Sequence, residues 1–448
     1  MEINSKTSLF KLAWPIFCQA LLAMCIGYVD SLMLGRYSDT AVGAIGNANQ
    51  IIGFLTLAFT IISSATGVIV AQYLGAKLTD KISQIYTVSI AFNLVLSGII
   101  SLIVFFGSNF IFKIMNVPQE MLPDANSYMK IVGGFVFIEA VFDTFSQIFR
   151  SNGMTKVGMV ISMLINILNI AGNYMFLYGP LSFLKLGATG VAISSTFSKI
   201  VALIVAIIFF NKKVQGTISI KLLFPFPKDI LKKLVRLGIP TAGENISYNI
   251  SQLIIQSMIN TLGVVAITTK VYGSIMTNFA YLYSVSVAAA TSIIVGHEVG
   301  AGKYDEAYKR VLTTLRPALV VSELIAITNF LISGFTFGIF TDDGNIISLA
   351  HKIMFIAIFL EFGRTSNLVV INSMRASGDV KFPTILGICS MWGISVVFSY
   401  ILGIKLELGL VGIWISMAMD EIFRGIVVYI RWRKGTWRNK SIVADEIA

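Results

Sequence analysis

Long apolar stretches, separated by short polar ones, follow one another along almost the whole of this chain. Each stretch is near or above the length of about 20 residues that an α-helix needs to cross a bilayer. We delimit twelve of them, at residues 8–35, 41–71, 84–107, 126–149, 157–178, 188–210, 236–260, 265–296, 311–337, 350–373, 382–403 and 409–430. A water-soluble protein of this size does not need twelve such apolar stretches to form its core. The pattern predicts an all-α polytopic membrane protein with 12 transmembrane helices.

The second six spans repeat features of the first six. Leu12-Ala-Trp-Pro15 returns as Leu237-Gly-Ile-Pro240, and Arg150-Ser-Asn-Gly153-Met-Thr-Lys156 returns as Arg375-Ala-Ser-Gly378-Asp-Val-Lys381, both at a shift of 225 residues (240 − 15 and 375 − 150). Because six is an even number, each half starts on the same side of the membrane, as in transporters built from parallel repeats. We predict two pseudo-symmetric six-helix bundles around a central cleft, with Pro15 bending the first helix.

The longest polar connection separates the two halves. It is basic, contains Pro225 and Pro227, and predicts a cytoplasmic linker. The chain divides accordingly into an N-terminal six-helix bundle at 1–210, this linker at 211–235, a C-terminal six-helix bundle at 236–432 and a cytoplasmic tail at 433–448.

The formal net charge of +11 is compatible with nucleic-acid binding, but the positions of the basic residues indicate membrane topology. The N-terminus, every second loop and the C-terminal tail hold 24 of the 34 Lys and Arg residues, whereas the alternate loops hold 7. Basic residues accumulate on the cytoplasmic side of membrane proteins. We therefore expect a multi-pass protein of the inner (plasma) membrane, with both termini in the cytoplasm, the lipid bilayer as its surroundings and no nucleic-acid partner.

Cofactor and metal motifs are not recognisable in the sequence. The three cysteines all lie in apolar runs, and His297 and His351 form no zinc motif. The segment from Gly296 to Tyr304 imitates a P-loop but has the wrong glycine spacing and lacks the Ser or Thr that holds Mg²⁺. We expect no cofactor, no metal beyond a coupling ion, and an ion gradient as the energy source.

Asp30 lies within the first apolar stretch, and no basic residue is closer to it in sequence than Arg36. A carboxylate at such depth costs roughly 2.5–3.5 kcal/mol on insertion scales, so a functional role is the leading hypothesis and a structural link between helices is the alternative. Its repeat position, 255, is Ile, so the charge occurs in one half only.

A second polar feature follows one side of the seventh span, where polar residues recur every four positions: Glu244, Tyr248, Gln252 and Gln256. Such a stripe is costly against lipid and should face the cleft or neighbouring helices. The repeat partner of Glu244 is Gln19 (244 − 225), so this charge is also restricted to one half. Hydrogen bonding between helices is the alternative role.

Three further groups of charged residues lie within predicted spans: Glu361 with Arg364, Glu139 with Asp143, and Asp420 with Glu421 and Arg424. The first pair has the spacing of an intrahelical ion pair, and its role is either structural or a second coupling site. No basic residue of its own span is expected to pair with the second group, which is a candidate for the cavity wall or the exit mouth. The third is expected to anchor the last helix. Arg150 and Arg375, on predicted turns, are assigned to topology and helix capping.

Taken in order, these features resemble the multidrug and toxic compound extrusion (MATE) transporters over essentially the whole chain. The matching residues are Pro15 with Asp30, Gly75-Ala-Lys after the second span, Arg-x-x-Gly-x-x-Lys in both halves, Asn169 with Asn173, and Glu244 four residues after Pro240. The resemblance implies two six-helix bundles around a cleft. It also implies a secondary active antiporter, not an enzyme, that extrudes organic, often cationic and amphiphilic, compounds in exchange for H⁺ or Na⁺.

For individual residues, the resemblance implies cation coupling at Asp30, assisted by Asn169 and Asn173. The two asparagines are four apart and share a helix face. A carboxylate with two amide oxygens suits a monovalent cation such as Na⁺, whereas a lone desolvated carboxylate suits a proton. The resemblance further implies a substrate cleft, in which Glu244 attracts a cationic drug or serves as a second proton site; its predicted lining is Gln19, Glu244, Tyr248 and Gln252.

Other functions remain open at this point. A lipid-linked oligosaccharide flippase of the same superfamily would tend to have 14 spans and a basic cleft, whereas we find 12 spans and only Lys199, Arg364 and Arg424 away from the span ends. For an intramembrane enzyme, the only indication in the sequence is His297-Glu298, and no partner motif accompanies it. A channel fits poorly with duplicated halves of unequal charge. We expect an antiporter that functions as a monomer.

Overall fold

The computed structural model describes Ile3 and residues 7–447, and this part of the chain contains helices and no strands. The α-helices follow in order: α1 Leu9–Gly35, α2 Asp39–Gly75, α3 Thr79–Ile114, α4 Leu122–Tyr128, α5 Val136–Ser151, α6 Thr155–Leu177, α7 Gly187–Lys213, α8 Lys228–Asn260, α9 Val264–Gly300, α10 Tyr304–Leu331, α11 Ser333–Gly338, α12 Gly344–Ala376, α13 Lys381–Ser390, α14 Gly409–Lys434 and α15 Ala444–Ile447. The predicted all-α class is confirmed.

Each of the twelve predicted spans lies, to within one residue at either end, inside a single helix or a broken run of helix, and most of the helices are longer than the span. The fourth span is α4, a π-helical turn at Met129–Gly133 and α5, with a bend of 40°. The ninth is α10 with α11, and α13 continues through π-helical segments at Met391–Val396 and Ser399–Lys405.

Nine helical segments of the described residues are long and apolar enough to cross a membrane, or ten if the bent fourth span is counted. The two remaining predicted spans correspond to α8 and α14. These helices have 33 and 26 residues, long enough to cross, but they carry more polar and charged side chains. Polar and charged side chains of both helices line a cavity of the C-terminal unit.

Contacts divide the chain into two compact units. The N-terminal unit consists mainly of Trp14–Leu74 and Leu78–Gly238, and the C-terminal unit consists mainly of residues 239–447. The division falls inside α8, just before Pro240. The predicted linker is shorter in the structure, because α8 already begins at Lys228.

The residues predicted to form a tail pack on the C-terminal unit. After α14 ends at Lys434, a 3₁₀ helix at Thr436–Lys440 brings the fully buried Trp437 onto Trp432, with ring centroids 4.1 Å apart. Trp437 Nε1 donates to the Trp432 carbonyl at 3.0 Å. Burial of two indole rings fixes the end of α14.

Each unit has its own apolar core. In the N-terminal unit, small residues of α2 and α7, such as Ala44, Ala48 and Ala188, allow close helix packing. In the C-terminal unit, α12 packs against α9, α10 and α14, and contributes Ile353 and Leu360 to the core. The two cores hold the functional side chains described below in place.

The repeated Arg-x-x-Gly-x-x-Lys motif forms the same turn in both units. Gly153 follows α5 with φ = 73°, and Gly378 follows α12 with φ = 95°. A left-handed residue after a helix favours glycine because a Cβ atom is strained there. Glycine therefore permits the tight turn at both positions.

Gly363 provides a test of the packing between α12 and α14. A Cβ atom at this position would lie 2.5 Å from the backbone nitrogen of Ile422, so the helices must separate to admit it. We predict that Gly363→Ala lowers the midpoint of thermal unfolding in detergent, at a cost of about 1–3 kcal/mol. Gly243→Ala is the matched control, because no described atom lies within 4 Å of its Cβ position. Equal midpoints for the two variants would contradict this packing.

Candidate functional site

The carboxylate of Asp30 is joined to the sixth helix of the N-terminal unit. Nδ2 of Asn173 donates to Oδ1 of Asp30 at 2.5 Å and to Oδ1 of Asn169 at 3.3 Å. Asn169 and Asn173 are 1% and 0% exposed, whereas Asp30 is partly buried. The three residues predicted from separate parts of the sequence therefore form one hydrogen-bonded group.

Helix α7 fixes this group from behind. Nδ2 of Asn169 donates to Oγ of Ser195 at 2.9 Å, and Oγ of Ser194 donates to the Asn169 carbonyl at 2.9 Å. Asn169 in turn accepts from Asn173, which holds Asp30. The sequence analysis missed both serines, although a run of small polar residues, Ser194-Ser195-Thr196, in an apolar helix was a usable signal.

One oxygen of this group has no partner. Oδ1 of Asn173 is buried and accepts no hydrogen bond from the described residues. A half-turn of the amide would exchange its nitrogen and oxygen and direct this oxygen towards Asp30 and Asn169. The three side chains would then offer a carboxylate and two amide oxygens, a donor set that suits a hard cation. In the present orientation the amide N–H instead stabilises the bare carboxylate.

Glu139 and Asp143 lie one turn apart on α5 and line the same side of that helix. Glu139 accepts from Lys199 of α7 at 2.7 Å, and both side chains are between a quarter and a third exposed. The basic partner of Glu139 thus comes from α7 and not from its own span. Pairing lowers the cost of both charges in an apolar environment.

The arginines of the repeated turn motif reach the first long helix of their own unit. Arg150 Nη2 donates to Oε1 of Gln19 at 2.7 Å, and Arg375 Nη2 donates to Oε2 of Glu244 at 2.5 Å. The two contacts are repeat equivalents, since 375 − 150 and 244 − 19 are both 225. Assigning these arginines to topology and capping alone was therefore incomplete. Gln19 also donates to Ser146 at 3.2 Å.

The C-terminal unit encloses a cavity of about 560 Å³, which we call the C-terminal cavity. The predicted residues Glu244, Tyr248 and Gln252 of α8 line it, together with Arg364 of α12. Gln19, predicted to belong to the same lining, lies in the N-terminal unit. Pro15 lies inside α1, as predicted, and the bend that it introduces stays a prediction.

Arg364 is positioned by two contacts. Its Nη1 donates to Oε1 of Glu361 at 2.5 Å, which establishes the expected intrahelical pair. Its guanidinium carbon lies 5.7 Å from the ring centroid of Tyr281 of α9. Glu361 is 1% exposed and lies behind the arginine, so the cationic member of the pair faces the cavity.

The predicted anchoring cluster of the last helix is a network that joins three helices. Arg424 Nη2 contacts Asp420 at 2.6 Å and Glu421 at 3.0 Å. Ser390 of α13 donates to Asp420, and Asn367 of α12 donates to Glu421 at 2.9 Å. Its anchoring role stays a prediction, and its members Glu421 and Arg424 also line the C-terminal cavity.

Comparison with known proteins agrees with this architecture. The family model MatE matches residues 15–175 and again residues 240–401. The chain belongs to the MATE family. The two matches begin 225 residues apart (240 − 15), the same shift that relates the internal repeats.

Two relatives and one structure illustrate the likeness. The chain is 40% identical to the "Uncharacterized transporter YisQ" of Bacillus subtilis, covering 97% of this chain and 96% of that protein. It is 25% identical to the "Probable multidrug resistance protein NorM" of Thermotoga maritima, covering 98% and 95%. The crystal structure of a mutant of the Vibrio cholerae MATE transporter VcmN has the same fold, with a TM-score of 0.89 at 16% identity and 97% coverage of both chains.

Members of this family are transporters, and this MATE protein is a multi-pass membrane transporter and not an enzyme. Its relatives include multidrug resistance proteins. The hint of an intramembrane enzyme at His297-Glu298 is thereby set aside. Among the described residues, no group of three or more His, Cys, Asp or Glu is placed to hold a metal ion.

The repeat-related arginines give a matched test of the two units. Arg375→Gln removes the cation that is hydrogen-bonded to the carboxylate of Glu244. Arg150→Gln removes a hydrogen bond to the amide of Gln19 and an attraction to Asp143 that acts from beyond ion-pair distance. Breaking a buried ion pair costs roughly 3–5 kcal/mol when fully buried, and less where the arginine is partly exposed. We predict a larger fall in the thermal unfolding midpoint for Arg375→Gln than for Arg150→Gln, in detergent at neutral pH.

Adding Glu244→Gln to Arg375→Gln should recover most of this loss, because the stranded charge is removed. Glu244→Gln alone should fold well, since Gln19 accepts from Arg150, the repeat equivalent of Arg375. Equal losses for the two arginine variants, or no recovery in the double variant, would show that Glu244 does not depend on Arg375.

Proposed function

We propose that this MATE transporter extrudes amphiphilic organic compounds in exchange for H⁺ or Na⁺, with Asp30 as the coupling residue. The observation that carries the proposal is the group formed by Asp30, Asn169 and Asn173. It places a carboxylate in an apolar helix, where the amide of Asn173 donates to it. The same amide donates to Asn169, one turn earlier on α6. Intramembrane acids in such positions usually bind a transported ion.

Binding of one cation changes the charge of this group from −1 to 0. The neutral group costs less to bury, so the loaded and empty transporter differ in how favourably α1 packs on α6. An ion can shift a conformational equilibrium only through such a difference in free energy between the two states. Drug and ion then need not touch, because both act on the same equilibrium.

The amide of Asn173 distinguishes the two ions in physical terms. A proton on Asp30 turns one carboxylate oxygen into a donor, for which the buried Oδ1 of a turned amide is a fitting acceptor. Sodium would need the oxygens of Asp30, Asn169 and Asn173 together. With a single carboxylate in the group, either ion is bound without excess negative charge.

The remaining expectations belong to the same proposal. The excess of basic residues in alternate loops supports a plasma-membrane protein with both termini in the cytoplasm. Each unit has a complete core of its own, which supports a single chain as the transporting entity. Organic cations are the substrate class expected from the family resemblance.

Dye efflux from proteoliposomes tests the coupling. A fluorescent amphiphilic dye is loaded, and either a pH gradient or a Na⁺ gradient is imposed. We predict that one gradient drives efflux by the native protein and that Asp30→Asn abolishes it, because the neutral amide binds neither ion. Asp80→Asn, an exposed carboxylate in the first turn of α3, is the control and should transport normally.

The outcomes separate the alternatives. Efflux driven by pH alone supports H⁺ coupling, and efflux driven by Na⁺ alone supports an ion held by the three oxygens. Full activity of Asp30→Asn would remove Asp30 from the mechanism. If neither gradient moves dye while both proteins remain folded, the drug assignment is wrong and the lipid-linked oligosaccharide flippase becomes the better hypothesis.

A further inference from the structure

The charges that line the C-terminal cavity differ from those expected of a site for organic cations. Six charged side chains line it: Glu244, Glu421, Lys270, Arg364, Arg375 and Arg424. Four are basic and two are acidic. A simple cation site would require the opposite balance, with carboxylates in excess.

Both acidic residues of this lining are already held by arginines. Glu244 pairs with Arg375 at 2.5 Å, and Glu421 pairs with Arg424 at 3.0 Å while accepting from Asn367. Both carboxylates that line the cavity are therefore already paired with a positive charge. A cationic drug would have to compete with a guanidinium for either of them.

The basic residues retain donors for a ligand. Nη1 of Arg364 donates to Glu361, which lies behind it, and the guanidinium carbon lies 5.7 Å from the ring centroid of Tyr281. Lys270 has no hydrogen-bond or ion-pair partner for its ammonium group within residues 7–447. Nε1 of Trp414, a cavity residue that is 4% exposed, is buried without an acceptor. Nε of Arg375 and Nε of Arg424 are likewise buried without an acceptor, whereas Oδ1 of Asn367 is a buried lining acceptor without a donor.

The rest of the lining suits an apolar body. Ile255, Ile259, Leu360 and Met417 face the cavity beside these donors. The volume of about 560 Å³ lies within the range of about 300–1,000 Å³ that is typical of sites for drug-sized molecules. A planar guanidinium matches the two oxygens of a carboxylate, which an ammonium group cannot do.

We propose that the C-terminal cavity binds amphiphiles that carry a carboxylate, held by Arg364, including zwitterions whose positive group is tolerated beside Glu244 and Glu421. Lys270 adds a second positive charge at the wall of the same cavity. The proposal rests on the proposed function in one respect: the compound that binds in this cavity is taken to be the compound that is exported. It narrows the substrate class from cations to carboxylate-bearing compounds.

Equilibrium binding to the full chain in a neutral detergent tests this assignment without any ion gradient. The probes are a free-acid rhodamine dye, which is a zwitterion, and its methyl ester, which is a cation with the same ring system. Fluorescence polarisation gives the dissociation constant of each. We expect the native protein to bind the free acid at least about tenfold more tightly than the ester, because a hydrogen-bonded charge pair is worth about that factor.

Arg364→Gln should weaken binding of the free acid about tenfold or more and change binding of the ester by less than about twofold. Because this variant leaves Glu361 without a partner, the double variant Glu361→Gln with Arg364→Gln is measured beside it, with thermal unfolding as the check on folding. Arg364→Lys, which keeps the charge and loses the planar fork, should fall between the native protein and Arg364→Gln for the free acid.

Lys352→Gln is the matched control, because it removes an exposed positive charge from the same helix, α12, outside the cavity lining. It should leave both dissociation constants unchanged. Equal affinity of the native protein for acid and ester would overturn the proposal, as would an equal loss for both dyes in the folded double variant. Since no gradient is involved, a failure of ion coupling at Asp30 cannot produce either result.

Discussion

Charged groups within the spans of this transporter depend on partners from the protein, several of them on other helices, because lipid offers neither ions nor hydrogen bonds. Glu139 of α5 is satisfied by Lys199 of α7, and Glu244 of α8 is satisfied by Arg375 at the end of α12. These contacts connect helices that are distant in sequence. The polar side chains therefore specify which helices pack together, while the apolar cores provide most of the burial.

The same requirement distinguishes the two units. In the N-terminal unit, Asp30 is stabilised by an amide, so its charge is held but not neutralised. In the C-terminal unit, the acidic side chains Glu244, Glu361 and Asp420 each have an arginine as partner. A carboxylate without a counter-charge is available to a cation from solution, whereas a paired one is not. The duplicated scaffold thus combines the proposed ion-binding group in one unit with a cavity that has basic donors in the other.

Much of the fold could be predicted from the sequence because the signal for a transmembrane helix is long and one-dimensional. The repeat at 225 residues and the clustering of Asp30 with Asn169 and Asn173 were also accessible, the latter through the family resemblance. The contacts of Gln19 with Arg150 and of Glu244 with Arg375 were not predicted. The arginines lie in the last turns of α5 and α12, and only their long side chains reach into the helical bundle. Applying the repeat shift to Gln19 and Arg150 together would have indicated these contacts. The basic character of the C-terminal cavity depends on which member of each ion pair faces inwards, and spacing along one helix does not contain that information.

The equivalent contacts of Gln19 with Arg150 and of Glu244 with Arg375 bear on how the two halves diverged after duplication. Glutamine and glutamate codons differ by one nucleotide, and the arginine stands at the same repeat position in both halves. An ancestral half with the neutral contact could therefore gain an acid in a single step, with its counter-charge already in place. A buried carboxylate would at no stage have been left alone, so the new charge could be acquired without a folding defect that selection would remove.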